Sequence, residues 1–237
     1  MFLIFKTLTD KEGRFFIMEK IDYDIDEFMD YCTSKNLSTK TIASYEQTLR
    51  LLAEYLKENH KVRKVEDTKE LHIREYIRYL KERGKYTVVT NENTKVVNFP
   101  ENREDYGKKI TTTTINNYIR NIKVFYNYLY ENRYITINPV SKIKEIKCER
   151  KAVGYLDDAN FNRLLRCFDV SKFHEYRDYI VAQLIFDTGM RLGETLLIKE
   201  TEVDFTKRTI LLTAENTKGR KDRYVFFSQE MLKQLRR

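Results

Sequence analysis

Two basic residues in the second half of the chain have the type and the spacing needed to hold an anion, and an acidic residue lies between them. Arg191 follows Gly189, which is expected to end one helix just before the next helix begins. Glu194 lies in the first turn of that next helix, and Lys218 lies 27 residues after Arg191, in the predicted turn of a β-hairpin. A guanidinium at a helix start can bind an anion together with free backbone N–H groups. The chemistry that these residues suggest is the binding of an anion.

A simpler alternative for Arg191 is an ion pair with Glu194 at the surface. Such pairs are common, and each contributes only about 0.3–0.5 kcal/mol to stability. A lysine at a hairpin tip is likewise usually a solvated charge. The order of the features favours the anion site, because an arginine at a helix junction, a pair of strands and a hairpin lysine follow one another along the chain.

The composition favours a polyanionic partner. The 237 residues include 44 Lys and Arg against 36 Asp and Glu, a formal net charge of +8, and 41% of them are hydrophobic. One large domain or two ordinary ones are expected. Cys32, Cys148 and Cys167 are far apart and form no CxxC pair, so neither a disulfide framework nor a zinc site is predicted. No apolar run has the length of a signal-peptide core or a membrane span, and we expect a cytoplasmic protein without a membrane partner.

Apolar residues at helical spacing predict four helices between about Asp24 and Asn132. A short amphipathic helix comes first. The second helix starts at Ser38, the third starts in a capping box of Asp67 with Glu70, and the fourth starts in the threonine run 111–114. These four elements predict a helical bundle.

The remaining segments complete the predicted plan. Residues 85–109 are polar and predict a β-hairpin or a mobile loop, and residues 138–155 predict a basic interdomain linker with little apolar periodicity. Beyond the linker we expect one helix capped by Asp157 and another ending at Gly189. A small antiparallel sheet of two or three strands should follow, with a tight turn at NTKG, and then a last helix capped by Ser228.

Two stretches resemble known motifs. Thr188–Glu194 and Thr217–Arg223 look like the first arginine box and the β-hairpin lysine motif of the tyrosine recombinases, the phage integrase family. The four helices, NPVSKIK and GYLDDANFNRLL are similar to that family's core-binding domain, linker and first catalytic-domain helix. The resemblance implies a mainly α-helical fold. A SAM-like core-binding bundle at 18–137 would follow an N-terminal extension at 1–17, and an α+β catalytic domain with a small antiparallel β-sheet would occupy 156–237.

The resemblance also implies a function, which is site-specific DNA recombination or integration in a bacterial or phage-encoded protein. Its partner would be double-stranded DNA with specific recombination sites, on which copies of the protein could assemble. A tyrosine of the family attacks a DNA phosphodiester without metal or cofactor. Arg191 would stabilise the charge of the transition state, Lys218 would protonate the leaving oxygen, and Glu194 would orient Arg191. The residues expected to contact DNA are Lys40, Arg50, Thr113, Arg120, Lys142, Lys144, Arg220, Lys221 and Arg223.

The chain departs from the family's pattern after the hairpin. The family places a His-x-x-Arg box, a further histidine or tryptophan and the nucleophilic tyrosine downstream of the lysine, and these 237 residues contain none of them. Tyr224 is the only tyrosine after Lys218 in these residues, and it lies in a predicted strand. We therefore expect an integrase-like protein truncated before the second arginine box and inactive as this chain. The alternative is a non-enzymatic DNA-binding regulator that occupies recombination sites. An RNA-binding helical protein is weaker, since no RNA-recognition motif is present.

Overall fold

The structure, a computed structural model, describes residues 7–9, 15–17, 19–89, 99–149, 152, 154–217 and 219–236. Its backbone divides into two compact units, Met1–Arg150 and Lys151–Arg237.

The first unit contains the four predicted helices. They are α1 (Lys20–Ser34), α2 (Thr39–His60), α3 (Glu70–Glu82) and α4 (Thr112–Glu131). Short 3-10 turns occur at Val65–Asp67 and Pro100–Asn102. Within the predicted N-terminal extension, β1 (Thr7–Thr9) pairs antiparallel with β2 (Phe15–Ile17).

The start of α2 agrees with the prediction from the sequence, whereas the start of α3 differs from the prediction. The Ser38 hydroxyl accepts the N–H of Thr41, as an N-cap does. The predicted capping box of Asp67 with Glu70 is wrong, because Asp67 lies in a 3-10 turn. The residue before α3 is Lys69, and its backbone N–H donates to the His72 side chain. Tertiary packing explains the shift, since that turn places Val65 in the core.

The core of the first unit is formed by all four helices, α1 to α4. The buried ring of Phe28 lies 5.8 Å from that of Tyr45, 5.3 Å from that of Phe125 and 5.1 Å from that of Tyr128, measured between centroids. The buried Tyr126 hydroxyl donates to the side chain of Thr68 at 3.0 Å and so attaches the start of α3 to α4. The ring contacts of Phe28 pack α1 against α2 and α4.

The first part of the predicted linker packs against this bundle. Val140 and Ile143 are buried in the core of the first unit. The side chain of Asn116 in α4 donates to the carbonyl of Ile146 at 2.9 Å and accepts its N–H at 2.8 Å. The segment predicted as a linker, 138–155, is therefore not free chain up to Ile146.

The long connection between α3 and α4 is closed at its base. Gly84 and Lys109 form an antiparallel bridge. The N–H of Lys85 donates to the carbonyl of Lys108 at 2.8 Å, and the carbonyl of Lys85 accepts the N–H of Gly107 at 3.0 Å. Residues 90–98, which would form the tip of the predicted hairpin, lie outside the described residues. The bridge brings the end of α3 close to the chain that leads into α4.

Substituting Gly84 by alanine is expected to destabilise this base by about 1–3 kcal/mol. A Cβ at Gly84 would lie 2.7 Å from the Cα and from the carbonyl oxygen of Gly107, both backbone atoms. Denaturant unfolding measures the effect, with Gly154→Ala as the control because a Cβ there would meet nothing within 4 Å. Equal unfolding midpoints for the two variants would contradict the prediction.

The second unit combines helices with a small sheet. Its helices are α5 (Asp158–Leu165), α6 (Phe173–Thr188), α7 (Leu192–Thr195) and α8 (Gln229–Leu235). Its antiparallel strands, in the order β3-β4-β5, are Val203–Asp204, Thr209–Leu212 and Arg223–Phe226. The predicted caps are confirmed: Asp157 accepts the N–H of Asn160, Gly189 ends α6 with a positive φ, and Ser228 accepts the N–H of Met231.

The core of the second unit lies between the sheet and the helices. Ile210 and Leu212 of β4 are buried with Leu184 of α6 and Met231 of α8. Leu212 is opposite Arg223 in the register, so the connection between β4 and β5 spans residues 213–222 and is longer than the tight turn predicted at NTKG.

Candidate functional site

Glu194 is a buried carboxylate held between two arginines. Its side chain is only 3% exposed. Oε1 accepts from Nη1 of Arg191 at 2.9 Å and from Nη1 of Arg223 at 3.2 Å. Oε2 accepts from the backbone N–H of Arg191 at 3.0 Å and from Nη2 of Arg223 at 2.7 Å. Four donors fill the capacity of the carboxylate, and Arg223 supplies two of them as a parallel fork.

Local sequence signals produce this arrangement at the helix junction. Gly189 adopts a left-handed conformation, with φ +67°, that ends α6. The next residue, Met190, is buried, and Arg191 then takes an extended conformation that starts α7. The carbonyl of Arg191 accepts from the Thr195 hydroxyl at 3.1 Å. The backbone N–H of Arg191 donates to Glu194 and is not available to an anion.

The alternation of side chains along β5 brings Arg223 to the same carboxylate. Val225 belongs to the core cluster on the inner face of the sheet, and Arg223 is two residues before it and so shares that face. Tyr224 is opposite Leu211 and is 64% exposed, on the other face. Tyr224 is thus a strand residue, as predicted, and it faces away from Glu194.

The three charges add up to one net positive charge. The hydrogen bonds from Arg223 and, after them, those from Arg191 lower the pKa of Glu194 from 4.5 to about 2, although burial opposes this shift. The side chain of Arg191 is 63% exposed against 39% for Arg223. The surplus charge therefore faces solvent mainly through Arg191. This geometry differs from the simple surface pair, because the acid is buried and shared.

The ionised Glu194 is expected to make stability dependent on pH in the acid range. A pKa that is lower in the folded than in the unfolded protein gives stability that is present above pH 4.5 and is lost as the pH falls towards about 2. Urea unfolding between pH 6 and pH 2 should therefore show wild type losing its advantage over Glu194→Gln. The exposed Glu215→Gln is the control and should follow the wild-type profile. A constant difference between wild type and Glu194→Gln would contradict the prediction.

The connection before β5 has a fixed internal geometry. Thr217 is buried. Its hydroxyl accepts the backbone N–H of Lys221 at 3.2 Å and donates to the carbonyl of Lys221 at 3.0 Å. The N–H of Ala214 donates to the Asp222 carboxylate at 2.6 Å. Lys218 lies outside the described residues, so its predicted part in the site stays a prediction.

The residues predicted to contact DNA have different surroundings. Arg50 is half-buried and pairs with Asp22 and Asp26 of α1, and Arg120 forms two bonds with Glu145, at 2.9 and 2.6 Å. Arg223 is engaged with Glu194. The exposed members of the set are Lys40, Thr113, Arg120, Lys142, Lys144, Arg220 and Lys221.

Sequence reasoning missed the part of Arg223 in this site, although a signal was present. An arginine on the core-facing side of a strand requires an acceptor, because an unpaired buried charge is costly. Glu194 is 29 residues away in sequence, and no local pattern connects the two. In the described ranges there is no group of three or more His, Cys, Asp or Glu side chains that could hold a metal ion.

Comparison with family models identifies both parts of the chain. Residues 155–237 match the phage integrase family, and residues 25–94 match the N-terminal SAM-like domain of phage integrases. The chain belongs to the phage integrase family. The SAM-like bundle and the α+β unit predicted from the sequence are thereby confirmed.

Relatives and solved structures agree with this assignment. Tyrosine recombinase XerC of Bacillus pumilus (strain SAFR-032) is 27% identical over 157 residues, which are 65% of this chain and 49% of the relative. XerC of Bacillus subtilis (strain 168) is 30% identical over 124 residues, which are 52% of this chain and 40% of the relative. The chain spans about half the length of the curated relatives that it matches.

Two solved structures share the fold. The Tn1549 transposon integrase in complex with a circular intermediate DNA has a TM-score of 0.63 at 14% identity, covering 92% of this chain and 64% of that chain. A lambda integrase dimer bound to a COC′ core site has a TM-score of 0.60 at 12% identity, covering 89% of this chain and 64% of that chain.

Proposed function

We propose that this protein acts in site-specific DNA recombination or integration, that it binds duplex DNA, and that Arg191 contacts a phosphate of the DNA backbone. The observation that carries the proposal is the surplus positive charge at Arg191, fixed by a buried and fully bonded Glu194. Membership of the phage integrase family supports the same function.

Arg191 has suitable chemistry for a phosphate. Nη1 of its guanidinium donates to Glu194, and no other described side chain accepts a hydrogen bond from Arg191. The remaining donors form a planar fork, which matches two non-bridging oxygens of a phosphate. In phosphoryl transfer such a cation stabilises the charge that develops on those oxygens.

The wider assignment is also part of the proposal. Lys218 would protonate the departing 5′ oxygen, as the resemblance implies, and the domain plan would be 1–17, 18–137, 138–155 and 156–237. The partner would be double-stranded DNA with specific recombination sites, on which copies of the chain assemble. The two solved structures of similar fold are complexes of those integrases with DNA, which supports this partner.

We also propose that the protein works in the bacterial cytoplasm. The curated relatives are bacterial, and all three cysteines are free. No helix within the described ranges has the length and apolar character needed to cross a membrane.

Equilibrium binding to duplex DNA tests the function directly. The wild-type chain is compared with Arg191→Ala, and with Arg177→Ala as a control for the loss of one exposed arginine on α6 that is paired with Asp178. The proposal requires that wild type binds and that only the change at Arg191 weakens binding. A chain that does not bind duplex DNA would overturn it.

A further inference from the structure

Arg223 contributes half of the donors that Glu194 receives. Nη1 and Nη2 of Arg223 each bond one oxygen of the carboxylate, at 3.2 and 2.7 Å, while Arg191 supplies one side-chain and one backbone donor. A carboxylate at 3% exposure has little access to water. Removing the fork of Arg223 would therefore leave two acceptor positions of a buried anion empty.

Among the described residues, Arg191 is the other one that donates to Glu194, and it can fill those positions. Arg191 is already in contact with Oε1, and rotation of its guanidinium would present a second donor to Oε2. A parallel, two-bond pair of this kind is the preferred geometry of an isolated arginine and carboxylate. In that geometry Arg191 would have turned its fork towards Glu194 and away from solvent.

We propose, resting on the DNA-binding function above, that Arg223 is a positioning residue. It saturates Glu194, so that Arg191 gives the carboxylate one Nη1–H and keeps its remaining donors for the DNA phosphate.

Charge gives the same result as geometry. Two guanidinium groups and one carboxylate leave one net positive charge, whereas Arg191 and Glu194 alone would be neutral. Since Arg191 is the more exposed arginine, the surplus is placed where an anion can reach it. Loss of Arg223 thus removes both the attraction for a phosphate and the orientation of the fork that binds it.

The position of Arg223 in the fold suits this role. Arg223 begins β5, directly after the connection that contains Lys218, and its backbone pairs with Leu212 of β4. Its bonds with Glu194 attach this end of the sheet to the junction of α6 and α7. Arg191 therefore depends for its orientation on a residue from the other motif of the family resemblance.

A double-mutant cycle tests the proposal with a labelled 30-base-pair duplex of random sequence. Arg191→Ala and Arg223→Gln are each expected to lower affinity roughly tenfold, the size expected for a bond to a charged group. The double variant should bind no more weakly than Arg191→Ala alone, because Arg223 acts through Arg191. Losses that multiply to roughly a hundredfold would show that Arg223 acts independently, and would overturn the proposal.

A second measurement separates positioning from general stabilisation. The Nε–Hε signal of Arg191 in a nitrogen-15 NMR spectrum should shift in Arg223→Gln and should no longer respond to added DNA. Arg223→Lys, which keeps the charge without the fork, should restore affinity only in part. Arg163→Gln, on α5 of the same unit, is the matched control and should leave the signal in place.

The two measurements distinguish the possible failures. If wild type does not bind the duplex, the proposed function fails, and the Arg191 signal still decides whether Arg223 orients that guanidinium. If wild type binds and the signal is unchanged in Arg223→Gln and in Arg223→Lys, the inference about Arg223 fails alone. Should Arg223→Gln not fold, Arg223→Lys and its double variant with Arg191→Ala provide the same cycle.

Discussion

Raising the salt concentration from 50 to 200 mM is expected to weaken binding of this chain to duplex DNA by roughly a thousandfold or more. The expectation applies if six or more phosphates are neutralised, because each contact releases condensed counterions and salt opposes that release. The net charge of +8 and the exposed lysines of both units supply the cations. Among them are Lys40, Lys142, Lys144 and Lys221.

The measurement is fluorescence anisotropy of a labelled duplex at several salt concentrations. A plot of the logarithm of affinity against that of salt should have a slope of about −0.9 for each phosphate contacted. Replacing Lys142 and Lys144 by glutamine should make the slope shallower by about two contacts if both reach phosphates. Lys172→Gln is the control, because Lys172 is paired with Asp169 and Glu175. Affinity that does not change with salt would remove the phosphate-binding interpretation.

Local signals in the sequence predicted much of the fold. Ser38, Asp157 and Ser228 cap their helices and Gly189 ends one, because a cap depends on the conformation of a few neighbouring residues. The strands were predictable for the same reason, since alternation and turn residues are local. The arginine at the helix junction was found in this way.

Contacts between distant residues explain the differences. Burial of Val65 in the core places a 3-10 turn where a capping box was expected. Val140 and Ile143 are three residues apart in a basic segment. Two apolar residues are too short a pattern to reveal packing against α4. The sharing of Glu194 with Arg223 depends on the register of β4 with β5, which no single segment specifies.

Incubation of the 237-residue chain with a nicked duplex is expected to give no covalent protein–DNA product. Cleavage by this family requires an oxygen that attacks the phosphorus, and positioned cations stabilise only the charge that such an attack creates. Tyr224 is the only tyrosine after Lys218 in these residues. It lies on the opposite face of β5 from Arg223, so its hydroxyl is directed away from the carboxylate that holds Arg191.

Denaturing electrophoresis measures this result, using a nicked duplex selected for binding from a random-sequence pool. Tyr224→Phe is the matched variant, since it removes only the hydroxyl of an exposed side chain. A covalent band that disappears in Tyr224→Phe would make Tyr224 the nucleophile, and a band that persists would assign the attack to another residue. Either band would contradict the prediction. Arg191 can contribute to phosphoryl transfer only when an attacking oxygen reaches the phosphate that Arg191 binds. Binding without a covalent band would mean that these residues recognise the phosphate and leave its bonds intact.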